Sequence, residues 1–142
     1  MISLETARQL KQAGLIWSPQ ANDFFAVPDR GLDGYIFVIS DIMTTVEVRQ
    51  KLAVISFQGT VEWALDYVII SEAVWLPRED QLRTIIMSYL LAQDQPAIRL
   101  ENTLAGYRCE IRFQDRWHIF EAKTASEAYG ASLLYLLGDI KI

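Results

Sequence analysis

The chain has 142 residues, 51% of them hydrophobic, and a net charge of −5 at pH 7. That apolar content is ample for a core, and the length fits one domain that buries about two-thirds of its surface without a disulfide or metal staple. An isoelectric point near 4.8 argues against a dedicated nucleic-acid binder, which needs a basic face for phosphates. Arg108, Arg112 and Arg116 are the candidates for a local basic patch, and Glu110 and Asp115 interleave with them.

The single cysteine, Cys109, forbids an internal disulfide and points to a reducing compartment. Glu5, Arg8 and Lys11 fall where a signal peptide would carry its apolar stretch. The longest apolar runs, at 35–39 and 133–137, have five residues against the ~20 of a membrane span. A cytoplasmic location is expected, with no membrane and no nucleic acid among its partners.

In chain order, Ser3 caps a first helix over residues 3–13, and Gly14 ends it. Residues 24–27 read as a short strand and 28–34 as a turn. The continuous run 35–39 suits a central strand covered on both faces. Residues 41–52 read as helical, with Thr44-x-x-Glu47 as a capping box. Residues 53–57 read as a strand. Thr60 then opens a helix with Trp63, Tyr67 and Ile70 on one face. Residues 73–76 are a short strand before Pro77.

The clearest helix follows Pro77. Glu79 and Asp80 suit its dipole, and Leu82, Ile85, Ile86, Tyr89 and Leu90 form an i, i+3, i+4, i+7, i+8 stripe that Pro96 ends. In 107–113, Tyr107, Cys109, Ile111 and Phe113 alternate with Arg108, Glu110 and Arg112, the pattern of a strand with one solvated face. Residues 114–116 form a hairpin tip, and 117–121 return. The register stays open, because a one-residue slip exchanges Trp117 and Ile119 for His118 and Phe120 on the core face. Thr124-x-x-Glu127 is a second capping box, opening a helix that carries Ala128, Ala131, Leu133, Leu134 and Leu137. The two strand-to-helix passages starting at Phe57 and Phe120 echo each other with unequal spacing, as two ordinary strand–cap–helix units do.

No phosphate-cradling glycine loop, zinc-protease helix, C-x-x-C or EF-hand loop occurs, and one histidine cannot make a histidine-pair metal site. No cofactor, metal or catalytic residue is expected. Three constellations remain. Cys109 and His118 could meet across a hairpin as nucleophile and base, although Cys109 lies in the apolar phase of its strand and reads as a core residue. Glu62 and Asp66, at i, i+4, could hold a ligand or split their pKa values, or simply form a solvated helix face. The four tryptophans are the third. Trp63 and Trp75 read as core, whereas Trp17 and Trp117 have polar neighbours and are candidate partner anchors, and Arg112 is a third partner-binding candidate.

The segment YRCEIRFQDRWHIFEAKTASEAYGASLLYLL, at 107–137, resembles the ending of a group of small uncharacterised bacterial and phage-associated proteins, in which two antiparallel strands run into a T-x-S-E-A helix. The opening SLETARQLKQAGL is similar to the first helix of the same kind of protein. The segments GTVEWALDYVI and VWLPREDQL resemble a narrower bacterial set, some members of which carry a pilus-assembly label. That label implies a nucleotide-binding ATPase, but this chain has no P-loop lysine, so no such activity carries over.

The expected fold is α+β: one domain over 1–142, with a mainly antiparallel sheet of about five or six strands packed by helices. The expected function is an accessory or protein-interaction module, with a protein partner or a homodimer. The alternative is a small-ligand binder or hydrolase using carboxylates around Glu62 and Asp66.

Overall fold

The computed structural model describes residues 1–28, 34–40, 44–49, 51–57 and 67–140. Its elements are α1 (Leu4–Gln12), β1 (Phe24–Ala26), β2 (Phe37–Val38), β3 (Thr44–Arg49), β4 (Leu52–Phe57), β5 (Tyr67–Ile69), a 3-10 turn (Ile70–Glu72), β6 (Val74–Leu76), α2 (Glu79–Leu90), β7 (Ile98–Thr103), β8 (Gly106–Phe113), β9 (Arg116–Ala122) and α3 (Ala125–Ile140). The class is α+β, and the strand pairs are antiparallel. In place of one sheet of five or six strands there are three sheets of three, ordered β2-β1-β6, β3-β4-β5 and β7-β8-β9. Contacts group the chain, expected from its length to be one domain, into two compact units: Met1–Leu15 with Pro77–Ile142, and Ile16–Leu76.

In the first unit, α3 packs on β8 and β9 and touches both α1 and α2. The predicted stripe of α2 supplies Leu82, Ile86 and Leu90, all fully buried. Ile85 and Tyr89 flank it half-buried. Gln81 starts this helix by accepting from the Arg78 backbone N–H at 2.9 Å. The alternation in β8 is borne out, with Cys109, Ile111 and Phe113 buried. β7 is an addition that the sequence reading missed. Its Ile98 and Leu100 pair with Ile111 and Cys109 on the core face.

Phe113 pairs with Arg116, so the β8–β9 turn has two central residues, Gln114 and Asp115, at φ 54° and 61°. Two left-handed residues match the right-handed twist of the strands, here without glycine. The register follows: His118 faces Ile111 and Phe120 faces Cys109, while Arg112 faces Trp117. His118 and Phe120 therefore share the core face, and Trp117 and Ile119 take the other.

The N-termini of α1 and α3 are tied together. Ser3 Oγ accepts from Thr6 N at 3.1 Å, as predicted for a cap, and Thr124 Oγ1 accepts from Glu127 N at 3.1 Å. A capping box would return the Glu127 carboxylate to its own helix. Instead Oε1 accepts from Ser3 N at 2.6 Å and Oε2 from the Thr6 hydroxyl at 2.7 Å. Burial pushes this carboxyl up, but the hydrogen bonds from Ser3 and Thr6 outweigh it and hold its pKa below the usual value. Gly130 lets the helices approach, since an added Cβ would lie 3.0 Å from Thr6 Cγ2 and 3.3 Å from Ile2 Cδ1.

The second unit is built on aromatics. Phe37 and Trp75 flank Phe25 in register across β2-β1-β6. Trp17 covers this row, stacked 6.3 Å from Trp75 and tilted 5.5 Å from Phe25. Phe25, Val27, Ile39, Ile55 and Ala73 form the core beneath. Asp23, 2% exposed, anchors the incoming loop: one carboxylate oxygen accepts from Trp17 Nε1 at 2.9 Å and from Gln20 N at 3.0 Å.

Three expectations change in this unit. The segment 35–39 supplies only the two-residue edge strand β2, with Tyr35 and Ile36 more than half exposed, so it is not a central covered strand. The expected helix over 41–52 is a hairpin from Thr44 onward, with Arg49 pairing Leu52 and Lys51 at φ 68°. Thr44, Thr45, Val46 and Val48 are β-branched, which favours a pleated strand over a helix and puts the apparent capping box inside β3. The end of the expected helix after Thr60 is also extended, because residues 67–69 form β5 against β4. The start of that helix lies outside the described residues.

Candidate interaction surface

α3, itself packed by α2, lies against one face of β7-β8-β9 at β8 and β9, and the opposite face carries paired charges. Arg99 meets Glu110 at 3.7 Å. Arg108 meets Glu101 at 3.8 Å, Glu110 at 3.9 Å and Glu121 at 3.4 Å. These are directly opposed cross-strand pairs, apart from the contact within β8. Such exposed pairs contribute about 0–1 kcal/mol each, so they set a pattern more than they stabilise the sheet.

Two residues depart from that pattern. Trp117 lies half-buried on this face, with the Arg99 guanidinium 4.1 Å from its ring centroid. Its cross-strand neighbour Arg112 has no ion-pair or hydrogen-bond partner for its side chain among the described residues, and its Nε is shut off from solvent. Arg108 Nε also lacks a well-aligned hydrogen bond, but its 3.4 Å approach to Glu121 neutralises its charge. Arg112 is therefore the uncompensated cation of the sheet face, beside its one large aromatic.

The structure brings together two of the three predicted anchors, Arg112 and Trp117. The third, Trp17, belongs to the other unit, where its indole N–H is committed to Asp23 and its ring to the aromatic row. Trp75 packs in that row, as predicted for a core residue. The ligand candidates Glu62 and Asp66, and the core candidate Trp63, lie outside the described residues. Arg99 went unrecognised because β7 did; the alternation of Ile98 and Leu100 with Arg99 and Glu101 is the signal that could have revealed it.

Cys109 and His118 do not form a nucleophile–base pair. They are not opposed in the register, and His118 Nε2 lies 3.0 Å from the Phe113 carbonyl, which accepts. The His118 ring packs 4.9 Å from that of Tyr135. Burial pushes the Cys109 thiol up, beyond the opposing effect of its hydrogen bond to Ser132, and so away from the reactive thiolate.

A shallow depression of about 380 Å³ lies at the β7–β8 turn, lined by Thr103, Gly106, Tyr107, Arg108, Glu121 and Lys123. Arg108 and Glu121 neutralise each other there, so it lacks the convergent free polar groups of a ligand site. Among the described residues no group of three or more histidine, cysteine or acidic side chains could hold a metal ion, and no helix is long and apolar enough to cross a membrane. No protein-family model matches the chain, and no curated protein or solved structure matches it.

Proposed function

We propose that the protein is a non-enzymatic cytoplasmic accessory module that docks a protein partner on the open side of β7-β8-β9, with Trp117 and Arg112 as its anchors. The observation that carries this reading is the unpaired Arg112 beside Trp117, on a face where the other charges are matched. Tryptophan and arginine are the residue types that concentrate binding energy at interfaces, and an unpaired, partly desolvated guanidinium gains most from an incoming carboxylate. Ile119, 55% exposed two residues from Trp117, adds apolar area to the same face. The resemblance of segment 107–137 to small uncharacterised bacterial and phage-associated proteins rests on structural motifs and brings no catalytic residue with it.

Photo-crosslinking in the native host tests it. A benzophenone side chain placed at position 119 is expected to give discrete adducts with protein. The same group at Leu91, 68% exposed on the unit's other elements, is expected to give few. Equal yields at the two positions would refute the assignment of this face.

A further inference from the structure

We infer that the partner is a second copy of this chain, added antiparallel along the free edge of β9 so that two three-stranded sheets join into one of six strands. This rests on the interaction reading above and names its occupant.

The geometry begins at the Gln114–Asp115 turn. In a two-residue hairpin the closing pair, here Phe113 and Arg116, exchanges backbone hydrogen bonds. Alternation then makes Ile111–His118 and Cys109–Phe120 hydrogen-bonded pairs as well. The backbone groups of Trp117, Ile119 and Glu121 consequently point away from β8, and among the described residues no other strand pairs with β9. Edge strands are ordinarily protected by proline, lysine, a bulge or a very short length. β9, RWHIFEA, has seven residues, no proline and no bulge, and it carries charges only at Arg116 and Glu121, which leaves the apolar Ile119 exposed at its centre.

The side chains favour a copy of the same strand. A two-fold axis at Ile119 sets this exposed residue against its own copy and Trp117 against Glu121 of the second copy. The three outward-facing residues then exchange about six backbone hydrogen bonds. A row across the joined sheet runs Arg112, Trp117, then Glu121 and Arg108 of the second copy. Arg112 and that Glu121 are two strand spacings apart, about 10 Å, a distance their long side chains close beside the Trp117 ring, which the Arg99 guanidinium covers. Arg112, which has no ion pair of its own, thus shares the second copy's Glu121 with that copy's Arg108, twice by symmetry. A slip of one residue would set outward amides against inward ones, and a slip of two would separate Arg112 from its carboxylate.

Sedimentation velocity on the full chain from about 1 μM to about 500 μM tests this, because so small an interface should dissociate within that range. The wild type is expected to shift from monomer to dimer. Ile119→Lys opposes two like charges, and Ile119→Pro removes the central outward N–H at a position where an edge tolerates proline. Each is expected to weaken association at least tenfold with an unchanged circular dichroism spectrum. In an Arg108→Gln background, which keeps a cation at 121 from facing Arg108, Arg112→Glu and Glu121→Arg should each weaken it, and the double exchange should restore it; that rescue carries the test even where an Ile119 variant fails to fold. A wild type monomeric throughout, a dimer indifferent to Ile119→Lys, or a failed charge-exchange rescue overturns the inference. A monomer whose position-119 adducts join a different protein overturns the second copy while keeping the interaction surface. A monomer without adducts removes both.

Discussion

The two units solve the problem of a three-stranded sheet in different ways. β7-β8-β9 buries one face under α3, which α2 packs in turn, so aliphatic side chains supply its core and the other face is left to charges. The unit over Ile16–Leu76 has no α-helix among its described residues, and its strands are mostly shorter. It closes its core with stacked aromatics and a buried carboxylate. A long helix-backed sheet can afford a polar open face, and so can offer one to a partner. A small aromatic core spends its tryptophans on itself.

Substitutions in each unit sharpen that contrast. The largest effect is expected from Leu133→Ala, which empties a fully buried site on α3 and should cost about 2–5 kcal/mol. Hydrogen exchange should register the loss across residues 77–140. Equal loss across residues 16–28 would make the two units one cooperative body. Asp23→Ala leaves the indole N–H of Trp17 and the Gln20 amide without their acceptor and should cost about 1–3 kcal/mol. A red shift in tryptophan emission should accompany it, and an unshifted spectrum would mean that the carboxylate does not hold the aromatic row.

Glu127→Gln weakens the shared cap of α1 and α3 and should cost about 0.5–2 kcal/mol at neutral pH. Because the folded pKa of Glu127 lies below its ordinary value, its contribution is complete above that ordinary value and is lost as pH falls through the folded one. The variant and wild type should converge in stability in acid; a constant difference down to pH 2 would contradict the ionised cap. The smallest effect is expected from Arg99→Ala. It removes a surface cation–π contact worth about 0.5–1 kcal/mol and should leave the chemical-denaturation midpoint nearly unchanged while exposing Trp117 to quenchers.

The elements legible in the sequence were those whose apolar period belongs to one kind of structure. The stripe on α2 and the alternation in β8 admit no second reading. The segment 44–49 did, because Thr44 and Glu47 have capping-box spacing while Thr45, Val46 and Val48 prefer a strand, and the pairing with β4 decides between them. β7 escaped because only Ile98 and Leu100 mark its core face before Asn102, the next residue in that phase, interrupts. Arg112 and Trp117 were each nameable as anchors from residue type. Their adjacency was not, since it depends on a turn of two residues rather than three, which Gln114 and Asp115 do not signal.

The cross-helix cap at Glu127 has a consequence for the order of assembly. Glu127 lies 124 positions beyond Ser3, so the Ser3 amide is made long before the carboxylate that satisfies it, and waits for it. At the usual pace of synthesis that wait is about 6–25 s. A nine-residue helix is marginal by itself in water. On the ribosome, α1 is therefore expected to emerge well before α3 and to dock only once α3 has left the exit tunnel.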